Sequence, residues 1–167
     1  MGGARSGKSE LAESLASGVG GDRVLYVATA LSMEDPELER RVAEHRARRP
    51  AAWETLELGG GDLDAVFEAS GTWGCVLLDS LTLWVSARSL AGETEEATLA
   101  GLDLFLERAS ASAIPFVLVS DEVGLGVVPE SAEGRRFRDL LGLANRRVAA
   151  AAQEVWLCVA GIGLRVR

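Results

Sequence analysis

Near the start of the chain, Gly2, Gly3, Ala4, Arg5, Ser6, Gly7, Lys8 and Ser9 set out Gly, four residues, Gly, Lys and Ser. That spacing is the P-loop pattern: glycines let successive backbone N–H groups turn inward on phosphate oxygens, a lysine reaches the β and γ oxygens, and a serine hydroxyl ligates magnesium. A Gly-rich capped turn is the plainer alternative for the same residues. A second acidic element stands at Val76-Leu77-Leu78-Asp79, an apolar strand ending in a carboxylate. P-loop enzymes present an acid to magnesium in this way, although Asp79-Ser80 can equally cap a short helix through Trp84. The third feature is the single histidine, His45, on a helical stripe with Leu38 and Val42. It reads either as a half-buried structural residue or as an imidazole that is nucleophilic at neutral pH. Arg40, Arg41, Arg46, Arg48 and Arg49 surround it and suit either a phosphate or a solvated face.

These residues need a scaffold, and apolar runs of strand length alternate with helical patterns throughout, which is the signature of βαβ units around a mostly parallel sheet. Buried strands are expected over 23–28, 75–79, 115–120 and 155–159, with an antiparallel edge strand at 163–167 after a Gly161 to Gly163 turn. Helices are expected over 8–16, 35–48, 62–69, 93–113 and 131–152, with N-terminal caps at Asp35-Pro36, Asp62, Thr94 and Ser131. A P-loop normally follows a strand, and none precedes Gly2, so the first strand is expected to be absent and a slot near the middle of the sheet to be left open. The expected fold is therefore α/β and P-loop NTPase-like, of the RecA-like kind, in one domain spanning 1–167.

Composition narrows the partners. The 167 residues carry a net charge of -8, and Lys8 is the only lysine among 17 basic residues, leaving sixteen arginines. With a pI near 4.8 the molecular field repels nucleic acid and anionic lipid. Cys75 and Cys158 each lie in an apolar run and read as buried free thiols. There is no apolar leader and no window long enough for a membrane span, so the chain reads as cytoplasmic.

Seven blocks in order then resemble one family, the bifunctional adenosylcobinamide kinase/adenosylcobinamide-phosphate guanylyltransferases of cobalamin biosynthesis. They are GGARSGKS at 2–9, LYVATA at 25–30, RVAEHRARRP at 41–50, LLDSLTLWV at 77–85, EVGLGVVPE at 122–130, FRDLLGLAN at 137–145 and EVWLCVAGIG at 154–163. The resemblance implies phosphorylation of adenosylcobinamide by ATP or GTP, then transfer of GMP from GTP onto the adenosylcobinamide phosphate, with Mg2+ on Ser9 and Asp79. It implies that His45 carries GMP covalently. It also implies that Thr29, Arg46, Arg49, Glu57 and Asp79 contact nucleotide, that Glu122 and Gly124 wall the cobinamide pocket or form a structural loop, and that the enzyme is a homotrimer. Three residues depart from the family pattern: Asp121 and Ala87 each stand where Asn is expected, and Arg146 where Gln is. A small-metabolite P-loop kinase with a structural His45, and a nucleotide-binding module without catalysis, are the alternatives from the residues alone.

Overall fold

The computed structural model describes residues 1–31, 36–69 and 73–167, with the backbone alone described at 36–39 and 41. Asp35 and the side chains of Leu38 and Arg41 therefore lie outside the described residues.

Four strands make one parallel sheet in the order β2-β1-β3-β4, with β1 at Val24–Ala28, β2 at Glu54–Glu57, β3 at Cys75–Asp79 and β4 at Phe116–Val119. Alternation along the central strands sends side chains to two faces. Val24, Tyr26 and Ala28 of β1 join Cys75 and Leu77 of β3 against helix α1, Lys8–Gly20, whose Ala12 and Ala16 allow close approach. Leu25, Val27, Val76 and Leu78 face the opposite way, onto Val66 of α3 (Ala65–Ala69), Trp84 of α4 (Leu81–Leu90), Leu102 and Phe105 of α5 (Glu95–Ala111) and Leu141 of α6 (Ala132–Ala151). Helices on both faces bury β1 and the first four residues of β3 completely. Thr94 and Ser131 cap α5 and α6 through hydrogen bonds from Ala97 N and Gly134 N, as expected from their positions.

Three expectations need correction. Residues 155–159 do not join the parallel sheet: β5, Trp156–Val159, pairs antiparallel with β6, Ile162–Arg165, as a separate two-stranded sheet. Among the described residues, the backbone bridges between the two sheets run through Met1 and Gly2. Gly2 bridges Asp121 on one side and Cys158 on the other, its N–H donating to Ser120 O at 3.3 Å while Cys158 N–H donates to Met1 O at 2.8 Å. With a single bridging residue where a strand would run, β4 and β5 remain half-buried along most of their length. Second, β2 has no counterpart in the expected strand set: its Glu-Thr-Leu-Glu sequence sits at the sheet edge, mostly exposed, and lacks an apolar signature. Third, the helix after Ser80 runs to Leu90, well beyond Trp84, because the indole of Trp84 is buried with its Nε1–H donating to Gly61 O at 3.0 Å and Arg88 is held by Glu93. Both cysteines are free and buried. No helix among the described residues is long and apolar enough to cross a membrane.

Candidate functional site

The C-terminal ends of β1, β3 and β4 face the start of α1, which is where open α/β sheets bind ligands. The loop 2–9 enters this edge with Arg5 at φ 55° and Gly7 at φ 88°. Gly7 is required twice over: its φ is left-handed, and a Cβ would lie 3.1 Å from Gly161 Cα. Gly161 N–H donates to Ser6 O at 3.0 Å, so the β5–β6 turn braces the loop from outside. The Ser6 hydroxyl oxygen is buried with no partner, an orphan acceptor and donor inside the loop.

Lys8 and Ser9, Asp79 and His45 line one cleft, with Arg46, Arg49 and Glu57 on its wall. The P-loop residues, the strand-end acid and the histidine thus come together from three separate stretches of sequence. Lys8 Nζ donates to Gly3 O at 3.2 Å and pairs with Asp121 Oδ1 at 2.6 Å. Asp79 Oδ2 accepts from the Tyr26 hydroxyl at 2.7 Å and lies 3.5 Å from His45 Nδ1. Burial pushes the Asp79 carboxyl upward, but hydrogen bonds from His45, Tyr26 and Ser9 overcome it and hold the group below the usual carboxylate range. Tyr26 is shifted the other way: burial, and then the neighbouring Asp79 charge, raise its phenol.

These contacts orient the imidazole. Arg48 also approaches His45 Nδ1 at 3.5 Å, but its guanidinium is already held by Glu10 at 2.8 Å and Glu13 at 3.3 Å. The buried carboxylate is therefore the better partner for Nδ1–H, and that hydrogen bond leaves the lone pair on Nε2. Arg48 serves a different end, tying the histidine helix α2, Pro36–Arg48, to α1. Among the described arginines around His45, Arg46 pairs with Glu57 at 2.6 Å on the cleft rim, and Arg49 lies 3.3 Å over the Tyr26 ring with its Nε buried and without a partner. The arginine cluster is thus neither wholly a phosphate grip nor wholly a solvated face.

Of the expected site residues, Thr29 lies outside the lining of this cleft, and so do Glu122 and Gly124, the latter two expected at the cobinamide pocket. Thr29 is fully buried outside the cleft lining, its hydroxyl donating to Ser80 O and accepting from Ser80 N, both at 2.7 Å; it clasps the ends of β1 and β3 together. Glu122 closes a local turn by accepting from Gly124 N–H at 2.6 Å, and neither residue lines the cleft. The loop after them does expose Leu125 and Val127 strongly. Conversely, Tyr26 and Asp121 line the cleft, and neither was a sequence-based candidate for it. A lone tyrosine hydroxyl in an otherwise apolar strand was the available signal for the first. A carboxylate just past the end of β4, on the same sheet edge as Asp79, was the signal for the second.

Magnesium fits this donor set: the Ser9 hydroxyl donates to the Asp79 carboxylate, and both residues line the cleft. No group of three or more His, Cys, Asp or Glu that could hold a metal occurs among the described residues.

Removing the Tyr26 hydroxyl tests how Asp79 is held. Asp79, depressed in the folded chain, contributes stability that is present above its unfolded value of about 3.9 and lost as pH falls through the folded value. Tyr26→Phe is expected to move the folded value back toward the unfolded one and to cost about 1–2 kcal/mol at pH 7 in metal-free buffer. Urea midpoints at pH 7 and pH 3 check it: the gap between wild type and variant narrows at the lower pH.

A glycine-rich loop feeding the first helix of a parallel sheet, with a lysine, a serine and a strand-end aspartate on one cleft, defines a P-loop nucleotide-binding α/β protein. Comparison with known proteins narrows the class. The family described as cobinamide kinase / cobinamide phosphate guanyltransferase matches residues 1–166. The bifunctional adenosylcobalamin biosynthesis protein CobP of Pseudomonas aeruginosa is 41% identical over 169 residues, covering 100% of this chain and 95% of that protein. The bifunctional adenosylcobalamin biosynthesis proteins CobU of Salmonella typhimurium and Escherichia coli are each 37% identical over 179 residues, covering 99% of this chain and 97% of theirs. The chain belongs to the cobinamide kinase / cobinamide phosphate guanyltransferase family.

Proposed function

We propose that this chain phosphorylates the free hydroxyl of adenosylcobinamide with ATP or GTP, then transfers GMP from GTP to adenosylcobinamide phosphate through a GMP-histidine on His45. The observation that carries this reading is the single cleft in which Lys8 and Ser9 of the loop face His45, whose Nδ1 is engaged by Asp79.

In the first half-reaction the substrate hydroxyl oxygen attacks the γ-phosphorus, the bond to the β,γ-bridging oxygen breaks, the nucleoside diphosphate leaves, and the hydroxyl proton passes to water. Inward backbone N–H groups of the loop and the Lys8 ammonium stabilise charge on the transferring phosphoryl group. In the second, His45 Nε2 attacks the α-phosphorus of GTP and pyrophosphate leaves. An oxygen of the cobinamide phosphate then attacks the same phosphorus, the P–N bond breaks, and the imidazole returns to its starting state with adenosyl-GDP-cobinamide as product. Asp79 holds the ring and stabilises the positive charge it gains during attack. Magnesium held by Ser9 and Asp79 would supply charge neutralisation to the nucleotide phosphates. The orphan Arg49 Nε and Ser6 hydroxyl supply polar contacts that a bound nucleotide would satisfy. Assembly as a homotrimer, with the Glu122–Gly124 turn beside the corrinoid, belongs to the same reading.

The test follows the corrinoid product by mass. ATP with adenosylcobinamide is expected to yield the phosphate, and later addition of GTP to convert it to the GDP derivative with release of pyrophosphate. Phosphate without any GDP derivative would reduce the chain to a kinase, and nucleotide binding without either product would reduce it to a binding module.

A further inference from the structure

We infer that Asp121 is an internal anion that occupies Lys8 until the polyphosphate of a nucleotide displaces it, so that this carboxylate sets how tightly the chain holds its phosphate donor. The inference rests on reading the loop 2–9 as the nucleotide site. Asp121 Oδ1 stands 2.6 Å from Lys8 Nζ, and the two side chains are only 28% and 12% exposed, so the pair is shielded from the solvent that weakens surface ion pairs. The backbone under the carboxylate is fixed from several sides. Asp121 N–H donates to Thr82 Oγ1 at 2.7 Å, its carbonyl accepts from Asn145 Nδ2 at 3.0 Å, and it bridges to Gly2 at the mouth of the loop. The other cleft carboxylates are committed elsewhere, Glu57 to Arg46 and Asp79 to Tyr26 and His45. Asp121 alone among them sits on the lysine.

An arriving polyphosphate needs the same ammonium. Because the backbone at 121 is clamped, the displaced carboxylate stays close to the incoming phosphates, and like charges at that range oppose binding. An amide at this position, which the family resemblance leads one to expect, would keep a carbonyl for Lys8 and carry no charge.

Asp121→Asn, which leaves all three backbone contacts in place, isolates the charge. Calorimetric titration with GTP and with GMP is expected to show GTP bound about tenfold more tightly than by wild type and GMP within about twofold, because only the longer phosphate chain reaches Lys8. Asp121→Glu keeps the charge and is expected to stay within about threefold of wild type for GTP. Unchanged or weaker GTP binding by Asp121→Asn, with an unchanged melting temperature, overturns the inference. So does equal tightening for GMP, or tightening in Asp121→Glu. Failure of wild type itself to bind GTP or ATP would instead remove the nucleotide reading, and this inference with it.

Discussion

His45→Ala is expected to lower guanylyl transfer by at least about 10⁴-fold, the scale on which removal of a covalent nucleophile acts, because no other group at the cleft replaces the imidazole. The loss should be selective. In the proposed mechanism phosphorylation rests on Lys8, Ser9 and the loop N–H groups and not on the ring, so it is expected to fall less than about tenfold, the residue of that loss coming from Asp79 giving up one donor. Separate assays of the two half-reactions on the same preparation check the division. Equal loss of both would mean that the histidine organises the cleft and takes no part in the bond chemistry.

On the proposed reading, Lys8→Ala acts on the shared step, the holding of nucleotide phosphates. It is expected to cost both half-reactions about 10²–10³-fold, the range for one preorganised electrostatic donor at a reacting phosphate or carbonyl. Lys8→Arg should rescue little of it. The ammonium is a compact charge reaching back over the loop to Gly3 O, and a planar guanidinium cannot take that place without moving Asp121. Initial-rate kinetics on both substrates check the effect. Loss of phosphorylation alone would place the GTP for guanylyl transfer away from the loop.

Much of this site was legible in the residues because the chemistry is spaced locally. Gly2 to Ser9 declares a phosphate loop within eight positions, and Leu77 to Asp79 declares a strand-end acid within three. What joins them is set by sheet order, which spacing does not encode. Parallel pairing of Ala28 with Asp79 puts the end of β1 beside the end of β3, and Tyr26, two residues earlier on the α1 face, then reaches Asp79 Oδ2. In the sequence Tyr26 is one more large residue in a buried strand. Thr29 shows the converse: it lies near the site in sequence, yet its hydroxyl is consumed by Ser80 backbone atoms. The edge strand β2 escaped detection because one covered edge demands no continuous apolar run. The antiparallel pairing of β5 with β6 is legible in the sequence, but their separation as a second sheet is not, because it follows from Gly2 being the bridging residue between the hairpin and the end of β4 among the described residues.

His45 is where residues and resemblance had to be joined by geometry. Helical spacing by itself favours a structural side chain, whereas its seat 3.5 Å from a buried carboxylate, on the same cleft as Lys8 and Ser9, suits a nucleophile. The most direct measurement is the intact mass of the purified chain after incubation with GTP and magnesium, without corrinoid. A GMP adduct that is acid-labile, maps to His45 and is missing from His45→Ala is the expected result; a well-folded wild type with no adduct, or an adduct that persists in the variant, would contradict the account.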